Sequence, residues 1–333
     1  MKKMIWIKKQ FDNPEVTNYY LEVIAEAYKK IGEDVNFFND WNECNIKKSD
    51  IVVVSNHREA FKMALEKRNY VYWVQGIIPE EDYAKFNKKW RKFVLEQIER
   101  ICLKKAMFII FVSERMRKHY ENKYGFKGSN YYIMPCSNDV IHKENFYYNG
   151  KYENNIFCYA GGLDVWQCFE ETLQMYKKME SKYNNVSLLL LVKDKKLAQK
   201  LVQKYQIQNY EIDFVPVEDV PKKLASVKFG FLIRDDLELN RVATPTKLMT
   251  YVGNGVIPIL SECLEGLIEN LNCTDYFVSV DKDRKIDNIE KILNMKIDPN
   301  EIYKQFENVY NKKYNRDAHI SGLVKMIPRN ETK

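Results

Sequence analysis

The 333-residue chain contains no apolar run near the roughly 20 residues that a membrane-spanning helix needs. Its longest runs, 187–192 and 107–112, have the length of a strand. The opening MKKMIWIKKQ has the charge of a signal peptide but no apolar region behind it, and it reads as a first strand. Histidine is scarce. His57, His119, His142 and His319 show no metal-ligand spacing with one another, with cysteine or with carboxylates, so no structural zinc is expected. The seven cysteines are odd in number, none forms a C-x-x-C pair, and all lie scattered in apolar patterns as expected of buried free thiols. A cytoplasmic location is the expectation. The first strand runs into Lys9-Gln10-Phe11-Asp12-Asn13-Pro14, without the G-x-G-x-x-G glycines of a dinucleotide site. That argues against a nicotinamide-dependent dehydrogenase. Internal repeats, low-complexity segments and nucleic-acid-binding motifs are absent, so no nucleic-acid partner is expected.

What is present suits a soluble globular protein of two ordinary domains: 45% hydrophobic and 30% charged residues. The net charge of +7 is uneven. Residues 1–150 carry 26 basic and 20 acidic side chains, and the other 183 carry 27 and 26. Within 85–127 the count is 13 basic to 4 acidic, a single cluster. There Lys88, Lys89, Trp90, Arg91, Lys92 and Phe93 interleave cations with rings, a pattern that suits an anionic membrane surface. The apolar members also suit a core-facing helix.

Hydrophobic periodicity alternates strand and helix throughout. Strands are expected at 4–8, 35–38, 51–55, 70–75, 108–113 and 131–134, with helices at 16–30, 58–66, 83–105 and 114–124 between them. Residues 135–155 have no period and read as a linker. A second series places strands at 156–160, 186–192, 210–214, 229–233, 256–260 and 276–280, with helices at 166–182 and 195–205 and a helical tail at 301–326. Such alternation predicts α/β architecture with doubly wound parallel sheets: a first domain over 1–150, a second over 151–313.

The most informative segment is FGFLIRDDLELNRVATPTKLMTYVGNGVIPIL, residues 229–260. An apolar strand stops at Arg234, a polar loop follows, and Pro245-Thr246-Lys247 opens a short helix that ends at Gly255 before another strand. Ligands of parallel sheets bind at the carboxyl ends of strands, where this chain places Arg234, Thr246 and Lys247. The expected ligand is anionic, most simply a diphosphate. Gly161-Gly162-Leu163 follow another strand and allow close backbone approach to a ligand, although tight turns use paired glycines too. Trp166 and Gln167 come next, Trp166 equally suited to core packing. Lys193, at a further strand end, reaches either a phosphate or water.

The 229–260 segment resembles the donor-binding signature of glycosyltransferase family 4, whose fold, termed GT-B, sets two Rossmann-like domains around a cleft. Pro245, Lys247, Leu248, Tyr251, Gly255 and Pro258 fall in register with that signature. The resemblance implies a donor site for a nucleoside-diphosphate sugar (UDP or GDP type) in the second domain, with a contact to the base at Val217. It implies catalysis by Arg234 and Lys247, an acceptor in the first domain, a terminal helix (314–333) crossing back onto that domain, and no metal or other cofactor. The signature's glutamate falls on Thr250, which offers one hydroxyl where a carboxylate holds the donor ribose; Asn240 or Asn254 then stands in, or donor binding is weakened. On the acceptor side Gln75 occupies a strand end that often reads His-Gly or Arg-Gly, followed by Gly76. Asn56 and His57 share a comparable strand end; His57 serves either structure or catalysis, and Gln75, which cannot be a general base at neutral pH, can bind a sugar hydroxyl at the catalytic site. Glu80 and Glu81 either cap a helix or approach the acceptor. Together these features imply retaining transfer of a sugar to a glycan or polyprenyl-linked acceptor in surface polysaccharide synthesis, by an enzyme peripheral to the membrane's inner face. A non-catalytic subunit of the same fold, binding a partner or glycan, is the alternative that Thr250 leaves open.

Overall fold

The computed structural model describes residues 4–10, 14–137 and 139–329 and divides into two compact units, 1–136 with 314–333 and 137–313. In the first unit the strands are β1 (Met4–Lys8), β2 (Asp34–Phe38), β3 (Ile51–Val54), β4 (Asn69–Val74), β5 (Phe108–Phe111) and β6 (Tyr131–Ile133). All pair in parallel, in the order β2-β1-β3-β4-β5-β6. Every residue of β3 and β5 is buried, which is why those strands read as unbroken apolar runs rather than alternating ones. The strand order reverses between β1 and β3.

The helices of this unit begin where short polar side chains can accept from the backbone. Asn56 accepts from Arg58 N at 2.8 Å and Ser113 from Met116 N at 2.9 Å. The expected helix over 83–105 is two helices, Ile78–Phe86 and Lys89–Lys105, parted by Asn87 at φ 51. Left-handed backbone there ends the first helix, and asparagine tolerates it better than most residues. Likewise the expected tail over 301–326 is two helices, Pro299–Lys313 and Arg316–Met326, with Asn315 capping the second by accepting from Ala318 N at 3.0 Å. Arg316–Met326 packs against Pro14–Lys30 and contributes Ile320, Leu323 and Ile327 to the first unit's core. Residues 330–333 of the expected 314–333 helix lie outside the described residues.

In the second unit β7 (Asn155–Ala160), β8 (Val186–Leu191), β9 (Tyr210–Asp213), β10 (Phe229–Leu232), β11 (Ile257–Ser261) and β12 (Val278–Val280) form a parallel sheet ordered β12-β11-β10-β7-β8-β9. Counted within the unit from β9, this is the dinucleotide-fold order 3-2-1-4-5-6, with its reversal between β7 and β10. Phe157 of β7 stacks on Phe229 and Phe231 of β10, 4.9 and 5.5 Å between ring centres, and locks the two strands together below that point.

Of the expected linker 135–155, all but its first two residues are built into the second unit, with a short helix at Lys143–Phe146; its Asn138 lies outside the described residues. The units therefore divide between Cys136 and Ser137, upstream of the expected boundary at 150. Asn145 Nδ2 donates to Pro221 O (2.8 Å) and Asn254 Oδ1 (2.6 Å). Lys151, fully buried, donates to Leu224 O, Ala225 O and Asn254 O at 2.9, 3.0 and 3.0 Å. These carbonyls end the helices Val220–Leu224 and Lys247–Gly253, where no intrahelical donor remains. Burial lowers the Lys151 ammonium to about 7. The unfolded chain therefore holds this proton more tightly, and the group's contribution to stability rises as pH increases from about 7 toward the ordinary lysine value. Replacing Lys151 by methionine strands three carbonyls. We expect a loss of about 2–4 kcal/mol in urea unfolding and a flatter rise in stability between pH 7 and 9 than the native protein shows.

Candidate functional site

A cavity of about 490 Å³ opens in the second unit at the β7–β10 reversal. Arg234, Lys247, Gly161, Gly162, Val217, Thr246 and Thr250 all line it. Arg234 follows β10 and is 5% exposed. Its backbone N donates to Ser261 Oγ at 2.9 Å, and its guanidinium donates to Ile233 O (2.8 Å), Gln167 O (3.2 Å) and Gln167 Oε1 (2.5 Å). Lys247 Nζ donates to the same Gln167 Oε1 at 3.4 Å and lies 4.1 Å from the centre of the Tyr159 ring. Neither cation has a carboxylate partner among the described residues. Burial first, and then the neighbouring Arg234 charge, push the Lys247 ammonium well below its ordinary value. Burial lowers Arg234 as well. Two desolvated basic groups share one neutral amide oxygen, an arrangement whose electrostatics favour an anion.

The backbone clears room for this pair. Gly161 has φ 138, and a Cβ there would lie 2.9 Å from Lys247 Nζ. Glycine is thus required twice over, for conformation and for space. Below, Tyr251 receives Ala160 N at 3.2 Å and donates to Phe231 O at 3.1 Å, tying the ends of β7 and β10 to the helix that carries Lys247. The Tyr251 ring would meet a Cβ on Gly230 at 2.7 Å, so β10 keeps a glycine in its centre. Helix Lys247–Gly253 is only seven residues long, and the amides of Leu248, Met249 and Thr250 are already bonded to Pro245 O and Thr246 O. The site's attraction for anions rests on its side chains.

Other expected donor contacts divide. The Thr250 hydroxyl has no protein partner among the described residues, whereas the Thr250 carbonyl accepts from Asn254 Nδ2 at 2.8 Å. Asn254 is fully buried, held by Asn145 and Lys151, and does not line the cavity. Asn240 is also buried, donating to Asp235 O at 2.9 Å to brace the loop after β10. Neither asparagine is placed to replace a ribose-binding carboxylate. Leu248 is core. Leu163 and Lys193 line a neighbouring surface hollow that also includes Gly161 and Gly162. Two contributors escaped sequence reading. Gln167 was marked only by its place at a helix start; no spacing rule connects it to Arg234, 67 residues on. Asp139 lines the cavity from the segment read as linker, its carboxylate held by Val140 N (2.8 Å) and His142 Nε2 (2.9 Å).

In the first unit Asn56, His57, Gln75, Gly76 and Glu81 line a cavity of about 340 Å³. Glu80 turns away from it, pairing with Lys123 at 2.7 Å and Lys92 at 3.4 Å. Burial, reinforced by Arg58, lowers His57, so its imidazole is neutral at pH 7. The basic segment also divides. Arg91 binds Asp82 through two nitrogens (2.9 and 2.5 Å) and stacks on Phe86. Arg91 and Lys92 therefore staple two helices together rather than reach outward. Lys88 and Lys89 are exposed, as are Trp90 (67%), Phe93 (62%), Val94 (47%) and Ile101 (40%), an apolar stripe along one side of Lys89–Lys105.

Among the described residues no group of His, Cys, Asp and Glu side chains is placed to hold a metal ion, and no helix is long and apolar enough to cross a membrane.

Two parallel six-stranded sheets flanked by helices, one of them with its cavity at the strand-order reversal, match the GT-B fold of glycosyltransferase structures. A sucrose-phosphate synthase from Thermosynechococcus elongatus superposes with a TM-score of 0.72 at 12% identity over 97% of this chain and 98% of that one. HepE from Anabaena, solved with UDP, gives 0.68 at 10% identity over 97% and 98%. OtsA, in its apo form, gives 0.67 at 11% identity over 98% and 100%. No family model matches the chain, and no curated protein matches it.

The paired cations generate a pH signature. Sulfate keeps one charge across neutral and basic pH, so any change in its binding reports on the protein. The thermal stabilisation by sulfate should exceed that of the Lys247→Met variant, and the excess should shrink as pH rises and Lys247 loses its proton. An excess that does not fall as pH is raised toward the ordinary lysine value would overturn the lowered Lys247 pKa.

Proposed function

We propose that the protein is a glycosyltransferase that moves a sugar from a nucleoside-diphosphate sugar to a glycan or lipid-linked glycan in surface polysaccharide synthesis. The observation that carries this reading is the cation pair Arg234 and Lys247, desolvated, without carboxylate partners and open to the cavity at the β7–β10 reversal. A diphosphate there accepts charge-assisted hydrogen bonds from both. As the bond from the sugar's anomeric carbon to the diphosphate oxygen breaks, negative charge grows on that oxygen, and cations already fixed in place stabilise it without reorganising. Side chains thus supply the charge for which a metal would otherwise serve, and we infer a metal-independent reaction. Asp139 is the sole acid lining this cavity among the described residues, and its carboxylate is engaged by Val140 and His142. That supports retention through front-face attack assisted by the leaving group over a covalent glycosyl-enzyme. The cavity-lining Thr250 and the exposed Val217 supply the nucleoside contacts in this reading. Resemblance of the 229–260 segment to family 4, together with the GT-B fold, supports the class of reaction. The non-catalytic alternative draws on Thr250, where the resembled signature has a carboxylate.

Calorimetry with UDP and with GDP tests the donor site. One nucleotide should bind, and Lys247→Ala should weaken it about ten- to a hundredfold, the loss of a charge-assisted bond to phosphate. Binding of neither nucleotide would favour the non-catalytic reading.

We also propose a peripheral association with an anionic, inner membrane surface. The exposed Trp90, Phe93, Val94 and Ile101 stripe flanked by Lys88 and Lys89 supports it. Lys88→Gln with Lys89→Gln should weaken sedimentation with phosphatidylglycerol vesicles by roughly tenfold or more. Unaltered sedimentation would remove the membrane from the proposal.

A further inference from the structure

The cavity of the first unit lies where its strand order reverses, at the carboxyl ends of β1, β3 and β4. Its chemistry differs from that of the second unit's cavity. The Glu81 carboxylate lines it and makes no hydrogen bond or ion pair among the described residues. Burial, partly offset by the Lys85 charge and reinforced by Glu80, raises the Glu81 carboxyl above its ordinary value. The carboxylate lies against bare backbone: a Cβ on Gly76 would fall 2.0 Å from Glu81 Oε1. Ser55 lines the same cavity, its Oγ buried with no hydrogen-bond partner among the described residues. Gln75 is exposed at the end of β4, and His57 is neutral. The neighbouring acid Glu59 is already engaged by Gln10 at 2.9 Å and Lys8 at 3.6 Å.

Among the described residues the lining holds strong acceptors and neutral donor–acceptor groups, and no lysine or arginine. A phosphate or carboxylate entering it would meet Glu81 with no cation in the lining, among the described residues, to pair with it. Hydroxyl groups would satisfy both unpartnered atoms at once, two donating to the Glu81 oxygens and one exchanging bonds with Ser55 Oγ. About 340 Å³ is at the small end of ligand-binding cavities and suits one sugar ring with its waters.

We propose that this cavity binds the acceptor through a neutral, unphosphorylated sugar residue whose hydroxyls are received by Glu81, Ser55 and Gln75. The identity of the ligand as acceptor rests on the transferase reading; its chemical class rests on the cavity alone. The test is saturation-transfer NMR on the full chain, using neutral mono- and disaccharides beside their phosphates and uronic acids, with nucleotide binding measured on the same samples. Neutral sugars should bind, and their charged counterparts should bind at least tenfold more weakly. Glu81→Ala should lose sugar binding while retaining nucleotide binding and the native melting temperature, and Gln75→Ala should weaken it less. Preference for the charged sugars, sugar binding unchanged in Glu81→Ala, or no binding by any sugar in the set would each overturn the proposal. Sugar binding that depends on Glu81 in a protein that binds no nucleotide would leave this inference standing and remove the transferase reading instead.

Discussion

Two positive charges that repel one another across a single amide oxygen set the terms for the second unit. Arg234 cannot retreat, since its backbone is bonded to Ser261 and its guanidinium to the Gln167 carbonyl and side chain. Lys247 is held over the Tyr159 ring. An amide dipole offsets only part of the cost of removing two cations from water. The folded chain carries that cost in its free state and is relieved of it by an anion. The turn that delivers Gln167 bears strain of its own, because Cys168 sits at φ 49 without being glycine. Strain and uncompensated charge meet at one place, and the rest of the unit holds them there.

How it does so is visible at both ends of the seven-residue helix Lys247–Gly253, too short to persist unaided. Tyr251 fastens its body to β7 and β10. Lys151 and Asn145 fasten its far end through Asn254, and His142 N donates to Gly253 O at 2.8 Å. Gly253 has no Cβ because Val140 O would lie 2.3 Å from it. The segment 137–155, irregular in sequence, is thus a clamp on the helix that carries the catalytic lysine of the proposed reaction.

Much of the fold could be read directly. The twelve strands among the described residues fall within two residues of where apolar runs placed them, most plainly β3, β5, β10 and β11, whose every residue is buried. Misreadings came where one residue's backbone decides. Asn87 and Asn315 break helices whose hydrophobic pattern runs on regardless. Arg234, Lys247, Gly161 and Thr250 line one cavity, and their grouping is legible because each follows a strand or lies in the helix that Lys247 opens. The place of Gln167 and Asp139 is not, since their proximity to Arg234 and Lys247 is made by tertiary packing across tens of residues. Asn240 and Asn254 were misjudged for the same reason: polarity and nearness in sequence suggested ligand contacts, whereas both are spent on backbone carbonyls inside the unit. Arg91 and Lys92 looked like surface charge until Asp82 and Glu80 were seen beside them.

The last described helix has a bearing on how the chain is made. Residues 137–313 form a continuous unit, whereas the first unit draws Ile320, Leu323 and Ile327 into a core begun by Ile5 and Ile7. During synthesis the amino-terminal sheet emerges first but lacks part of its core until more than three hundred residues have left the ribosome. The second unit has everything it needs once Lys313 is made, 14 residues before Ile327. Completion therefore runs against the direction of translation, and the nascent amino-terminal half must wait with the face of Pro14–Lys30 uncovered, a surface that a chaperone is suited to shield.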